Sequence, residues 1–192
     1  MWLKSDLRVM DNPALSAAMS NGPTLAVYFL SEKQWHEHGI SPAKKSLILR
    51  QLKSLGNALK ALNVPLMIYK TDTFETLSED LFRLTETHSI CGIYCNKEYE
   101  LNERLCEQEV ERAALSQGVS FQSFNDCCLV EPGRIRNLQG QPYKVFSAFK
   151  RAFMKDSLSL IRPLVAQPHP QNRITVEPDL SLLIDLEGKV ET

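Results

Sequence analysis

The sequence predicts an α/β fold built from parallel βαβ units, and three observations carry that prediction. Short β-type runs alternate with longer helix-type runs along most of the chain. Two of the helical stretches open on a capping residue followed by proline. Apolar residues recur at steps of three and four along the longest of them. At 192 residues the chain suits one domain, with room for an appendage, and can bury a sizeable core.

The expected strands are the short run 1–3, then 25–30, 66–69, 90–94 and 119–124. The first helix starts in "NPALSAAMS", where Asn12 can cap and Pro13 takes the first helical position, at which a missing N–H costs nothing. "SPAKKSLILRQLKSLGNALKAL" repeats the device with Ser41 and Pro42. Ile48, Leu52, Leu55, Leu59 and Leu62 then form a stripe that packs one helix face on a sheet. Residues 73–87 and 101–117 supply two more helices, the second stopped by Gly118. After Asn125 turn signals dominate until "KVFSAFKRAFMKDSLSL" restores a helical pattern. Across 134–162 seven basic residues stand against the single acid Asp156, a face for phosphate, for an acidic neighbouring domain or for water. Pro163, Pro168, Pro170 and Pro178 then mark a linker, with little helical pattern before "LSLLIDL".

With 43% hydrophobic residues and a formal net charge of -1, the chain reads as a soluble globular protein. It has no apolar run long enough to span a bilayer and no signal-peptide pattern at its start, which makes the cytoplasm the default compartment. Five cysteines, two of them adjacent at Cys127 and Cys128, suit no disulfide framework and are read as reduced. The nearest approach to a metal site is "HEH" at His36 to His38, which without a cysteine partner reads as a solvated loop; no metal is expected.

The dinucleotide pattern G-x-G-x-x-G, the phosphate loop and G-x-S-x-G are all absent, and "KSDLRVMDNPAL" after the first strand contains no glycine. What does occur is a crowding of polar groups after the fourth strand, in "YCNKEYELNER". That is the strand end at which parallel sheets bind ligands. Asn102 and Glu103 combine a side-chain amide with a carboxylate. A carboxylate accepts two parallel hydrogen bonds from an amino group and an adjacent ring N–H, the edge a pterin or guanine presents. Both residues also suit the first turn of a helix on dipole grounds alone.

Several segments together resemble the DNA photolyase and cryptochrome family, specifically the N-terminal antenna domain of its bacterial cyclobutane pyrimidine dimer enzymes. "MWLKSDLRVMDNPAL" is similar to the family's W-F-R-x-D-L-R-x-x-D-N-x-A-L, "YCNKEYELNERLCEQEVERAA" to its Y-E-x-N-E-R segment and following helix, and "GQPYKVFSAFKRAF" to its G-x-x-Y-x-V-F-T-x-F. "QWHEHGISP" looks like the loop after the second strand. The departures are Lys4 where Arg is usual, Ser147 where Thr is usual, and a first strand that starts at Met1 without several apolar residues.

The resemblance implies a Rossmann-like three-layer sandwich with a five-stranded parallel sheet over 1–130, a turn-rich segment and helix over 131–162, and a linker over 163–192. The linker would lead to an FAD-binding helical domain that contacts damaged DNA and splits pyrimidine dimers as a light-driven carbon–carbon lyase. It implies for this part an antenna chromophore, methenyltetrahydrofolate, held by Asn102 and Glu103 with His38 in contact; deazaflavin or flavin are the alternatives. No catalytic residue is expected here, the chain alone is expected to be inactive in repair, and folate retention is expected to be weak without the second domain's wall. Arg8, Tyr143, Phe146, Phe149 and Phe153 are read as packing or interface residues, and the shortened first strand opens a route to dimerisation. Two other readings stay open: a cryptochrome-like blue-light sensor and a generic nucleotide-binding Rossmann-like module.

Overall fold

The computed structural model describes residues 1–183 and 186; residues 184, 185 and 187–192, the end of the expected linker and part of "LSLLIDL", lie outside the described residues. The elements run β1 (Trp2–Leu3), α1 (Pro13–Asn21), β2 (Ala26–Leu30), α2 (Glu32–Glu37), α3 (Pro42–Ala61), β3 (Leu66–Lys70), α4 (Phe74–Thr87), β4 (Gly92–Asn96), α5 (Leu101–Ser116), β5 (Ser120–Phe124) and α6 (Phe146–Leu160). The five strands form one parallel sheet in the order β3-β2-β1-β4-β5. This is the α/β sandwich the alternation predicts.

Alternate residues of each central strand supply two cores, as a sheet covered on both faces requires. Leu3, Tyr28 and Leu30 pack with Leu15 of α1 and Leu52, Leu55 and Leu59 of α3. Trp2, Val27 and Phe29 face the other way, onto Leu77 and Leu81 of α4 and Cys106 and Val110 of α5. Leu52 and Leu59 are fully buried, each worth about 1.5–3 kcal/mol of apolar burial. The α3 stripe read from sequence is therefore core, with the half-buried Ile48 at the end nearest the carboxyl ends of the strands.

Both Pro-initiated helices are capped as the sequence indicates. Asn12 Oδ1 accepts from the Leu15 N–H at 3.0 Å, and Ser41 Oγ from the Lys44 N–H at 3.3 Å. A buried network ties the start of α1 to the sheet. Asn96, at the carboxyl end of β4, donates Nδ2 to Asp6 Oδ2 at 2.7 Å and to Asn12 Oδ1 at 2.8 Å, and its Oδ1 accepts from the Ala14 N–H at 3.2 Å.

One expectation is corrected and another narrowed. "HEH" is not a loop: residues from Glu32 form α2, Ser31 Oγ accepts from the Gln34 N–H, and His38 is the C-cap. Of the packing and interface readings of the α6 aromatic stripe, burial in this domain's core is ruled out, since Ser157 is its one buried residue among those described and Phe146 is 75% exposed. Its rings contact each other instead, Phe149 to Phe153 at 5.8 Å and Phe149 to Tyr143 at 6.5 Å.

The proline-rich stretch lies against the domain. The Gln171 side chain donates to the Thr24 and Asn63 carbonyls and accepts from the Thr24 N–H, all within 2.9 Å. Asp179 pairs with β3 through Asp179 N–H to Leu66 O and Ile68 N–H to Asp179 O. At the other end Arg162 binds both Asp11 carboxylate oxygens, at 2.6 and 3.1 Å, and shares Asp126 with Arg8. Arg8 thus organises packing, as expected of it. No described helix is long and apolar enough to cross a membrane.

Candidate functional site

The strand order places a topological switch beside β1, whose neighbours lead the chain to opposite sides, and ligands of such sheets sit outside the carboxyl ends of the strands there. A cavity of about 200 Å³ occupies that position. Tyr28, Phe29, Trp35 and Phe74 supply aromatic walls, Ile48 and Leu77 aliphatic ones, and Glu98, Glu103, Lys4 and Lys44 the charges. No glycine is among its lining residues, so no backbone is bared for close approach of a pyrophosphate.

Of the three residues singled out from sequence, His38 and Glu103 line it, while Asn102 is exposed outside the lining and touches His38. Asn102 and Glu103 fall in the first turn of α5, behind the N-cap Glu100, and no side chain caps that helix end. Asn102 Nδ2 lies 3.2 Å from His38 Nε2, and Glu103 Oε1 lies 3.9 Å from His38 Nδ1. The side chains of His38 and Glu103 are 29% and 18% exposed, so both are largely buried at the edge of the cavity.

A fourth residue, not anticipated, sets the geometry. Gln34 Nε2 lies 2.6 Å from His38 Nε2 while Gln34 Oε1 accepts from the Phe74 N–H at 3.4 Å. The Phe74 bond holds the amide in place beside the ring. Asn102 reaches the same ring nitrogen, and which group donates in each of these contacts depends on the His38 tautomer. His38 also stands edge-on to Phe74, with ring centroids 5.9 Å apart. The sequence signal for Gln34 was the S-x-x-Q spacing of Ser31 and Gln34, half of a capping box.

Deeper in, the charges are carboxylate-rich. Lys4 Nζ sits over the Trp2 ring at 4.6 Å and donates to Glu107 at 2.6 Å. Burial opposes the Lys4 ammonium, but Cys95, Glu107 and Glu98 around it outweigh that and its pKa is raised. Burial pushes the Glu98 carboxyl up against the opposing bond from the Ser5 N–H. The Cys106 thiol is pushed up to about 12 by burial, which leaves it a protonated packing group. Such a site suits a flat, donor-edged heterocycle better than a polyphosphate.

A larger cavity, of about 440 Å³, lies at the opposite end of the sheet. It opens where the two-residue β1 leaves Gly92 to Tyr94 of β4 without a strand partner on that side. Helix C-termini surround it and its walls are mainly apolar, so it lacks the converging polar groups of the smaller one.

Comparison with known proteins bears on both fold and site. A family model described as DNA photolyase matches residues 1–171. The chain is 37% identical over 166 residues to the deoxyribodipyrimidine photo-lyase of Vibrio cholerae, covering 86% of this chain and 34% of that one. It is 33% identical over 187 residues to that of Escherichia coli, covering 96% and 39%. The chain therefore spans between a third and two fifths of the length of these relatives. A class III photolyase structure from Agrobacterium tumefaciens superposes with a TM-score of 0.71 at 22% identity, covering 97% of this chain and 37% of that one, a likeness of fold alone.

Proposed function

Because the chain belongs to the DNA photolyase family, we propose that it is the light-harvesting part of a deoxyribodipyrimidine photo-lyase and that its ligand is a folate antenna, methenyltetrahydrofolate. The observation that supports this most is that His38 and Glu103 line an aromatic-walled cavity with Asn102 in contact with the His38 ring. The residues fit the group: the Glu103 carboxylate would take the amino and ring N–H edge of the pterin, Asn102 and His38 its polar flank, and Phe74 and Trp35 its faces. Such a chromophore absorbs near-ultraviolet or blue light and passes the excitation on. A deazaflavin or flavin would need the part of the cavity where Lys4 and Glu98 stand.

In this reading the repair chemistry belongs to FAD in a helical domain that also holds the damaged DNA, since electron transfer needs flavin and lesion together. The exposed rings of α6 and its basic neighbours would face that domain, and residues 163–183 would lead to it. The 192-residue chain by itself is expected to leave pyrimidine dimers intact under light. The cytoplasm is the compartment this function implies, and the opening beside β1 would serve any dimer contact, checked by sedimentation equilibrium.

The test is a titration of the chain with methenyltetrahydrofolate followed by absorbance and fluorescence. Weak binding is expected, because a ligand at a domain boundary keeps one wall of two. Glu103→Ala removes two charge-assisted hydrogen bonds and should weaken it by at least about tenfold. Affinity unchanged in Glu103→Ala, or a preference for ATP over the folate, would count against the reading.

A further inference from the structure

The loop that leaves β5 carries a pair of thiols that the antenna reading does not use. Cys127 is exposed, Cys128 is half-buried, and their sulfurs stand 3.9 Å apart. The loop is held in place around them. Asn125 donates Nδ2 to the Cys128 carbonyl at 3.1 Å and accepts from the Tyr99 hydroxyl at 2.6 Å, while the Cys127 thiol points to the Lys97 carbonyl at 3.7 Å.

Geometry separates the fates open to such a pair. A disulfide needs its Cα atoms roughly 4.4–6.8 Å apart, whereas adjacent residues joined by a trans peptide are fixed about 3.8 Å apart, so closure distorts the backbone. A structural zinc ion needs about four ligands, and among the described residues no group of three His, Cys, Asp or Glu side chains converges to hold a metal. What remains is a soft centre satisfied by two protein sulfurs. Bonds to sulfur of about 2.3 Å, at pyramidal to tetrahedral angles, hold two sulfurs about 3.5–3.8 Å apart, close to the observed separation.

We propose that Cys127 and Cys128 form a two-sulfur chelating site for monosubstituted trivalent arsenicals. An arsenoxide R–As=O takes up the two S–H protons on its oxygen, which leaves as water while two As–S bonds form; arsenic stays trivalent and no oxidant is involved. Burial and the adjacent Cys128 push the Cys127 thiol up to about 11, so the attack should quicken as pH rises and the thiolate fraction grows, while the proton balance of the overall step is unchanged.

The probe is phenylarsine oxide, titrated into the reduced 192-residue protein and followed by intact mass and thiol counting. One phenylarsenic per chain is expected, with two thiols lost, stripped by a dithiol but resistant to glutathione. Closing the second bond within one loop should give retention about 100-fold or more above a one-sulfur adduct. Cys127→Ser and Cys128→Ser should each remove that advantage, and Cys91→Ser, which deletes the other exposed thiol, should leave it intact. Circular dichroism confirms that each variant is folded. An adduct that persists in folded Cys127→Ser, depends on Cys91, or yields to glutathione in the parent protein overturns the proposal.

Discussion

Asn96→Ala tests whether the polar network beneath the site holds α1 to the sheet. The Asn96 side chain is 3% exposed as a residue and makes three hydrogen bonds, to Asp6, Asn12 and the Ala14 N–H. Its removal takes a donor from the buried Asp6 carboxylate, worth about 1.5–3 kcal/mol, and leaves the Ala14 N–H unpaired at a cost of about 1–3 kcal/mol. Asn12 Oδ1 keeps its bond from Leu15 and adds little to the sum. The expected loss is about 3–5 kcal/mol. With a urea slope of about 2 kcal/mol/M for a domain of this size, the unfolding midpoint should fall by about 1.5–2.5 M at unchanged slope. Far-UV circular dichroism in urea reads it directly. A loss below about 1 kcal/mol would mean that water satisfies the freed groups and that the network does not carry α1.

Gln34→Leu should release the His38 ring and the Phe74 N–H together, costing about 1–2 kcal/mol in urea unfolding and weakening folate binding without touching Glu103; an unchanged affinity would show that the ring needs no such hold. The Arg162 guanidinium, helped by the Val165 N–H, lowers the Asp11 pKa from 3.8 to about 2. Because the folded value is the lower one, this contribution is complete above about pH 4 and disappears as pH falls toward 2. The Val165 amide resonance should titrate with a midpoint near 2, rising toward 3.8 in Arg162→Gln, and a midpoint indifferent to that substitution would contradict the assignment. A Cβ at Gly92 would meet Ser120 Oγ at 2.5 Å and Tyr94 Cε2 at 3.1 Å, so Gly92→Ala should cost about 1–3 kcal/mol, partly recovered by Ser120→Ala. Equal cost in both backgrounds would locate the strain elsewhere.

The parts of the fold written in local chemistry were legible in the sequence. Asn12-Pro13 and Ser41-Pro42 announce α1 and α3, and the Leu52-Leu55-Leu59 spacing gives the buried face, because caps and periodicity need only neighbours within a turn or two. Helix α2 was not legible, since six residues are too few to display a period and its one signal, Ser31 with Gln34, lies outside any apolar run. At the site, Asn102 and Glu103 stood out by position after a strand. Gln34 and Lys4 did not, because their partners Phe74 and Glu107 are 40 and 103 residues away and only the folded sheet brings them together. The α6 stripe shows the limit from the other side: its period is real and was read as packing or interface, but periodicity alone does not say what covers a face.

Gln171 and Asp179 fasten the proline-rich stretch at two points, one against the ends of α1 and α3 and one on the edge strand β3. In mechanical terms they set the load path. Beyond them Leu183 and Leu186 are buried in the core with α1 and α3. A pull applied past Leu186 therefore meets that apolar anchor first, the Asp179 pair on β3 next, the Gln171 clasp after it, and the Arg162 ion pairs and α6 last, so a tether is counted from beyond Leu186 rather than from Pro163.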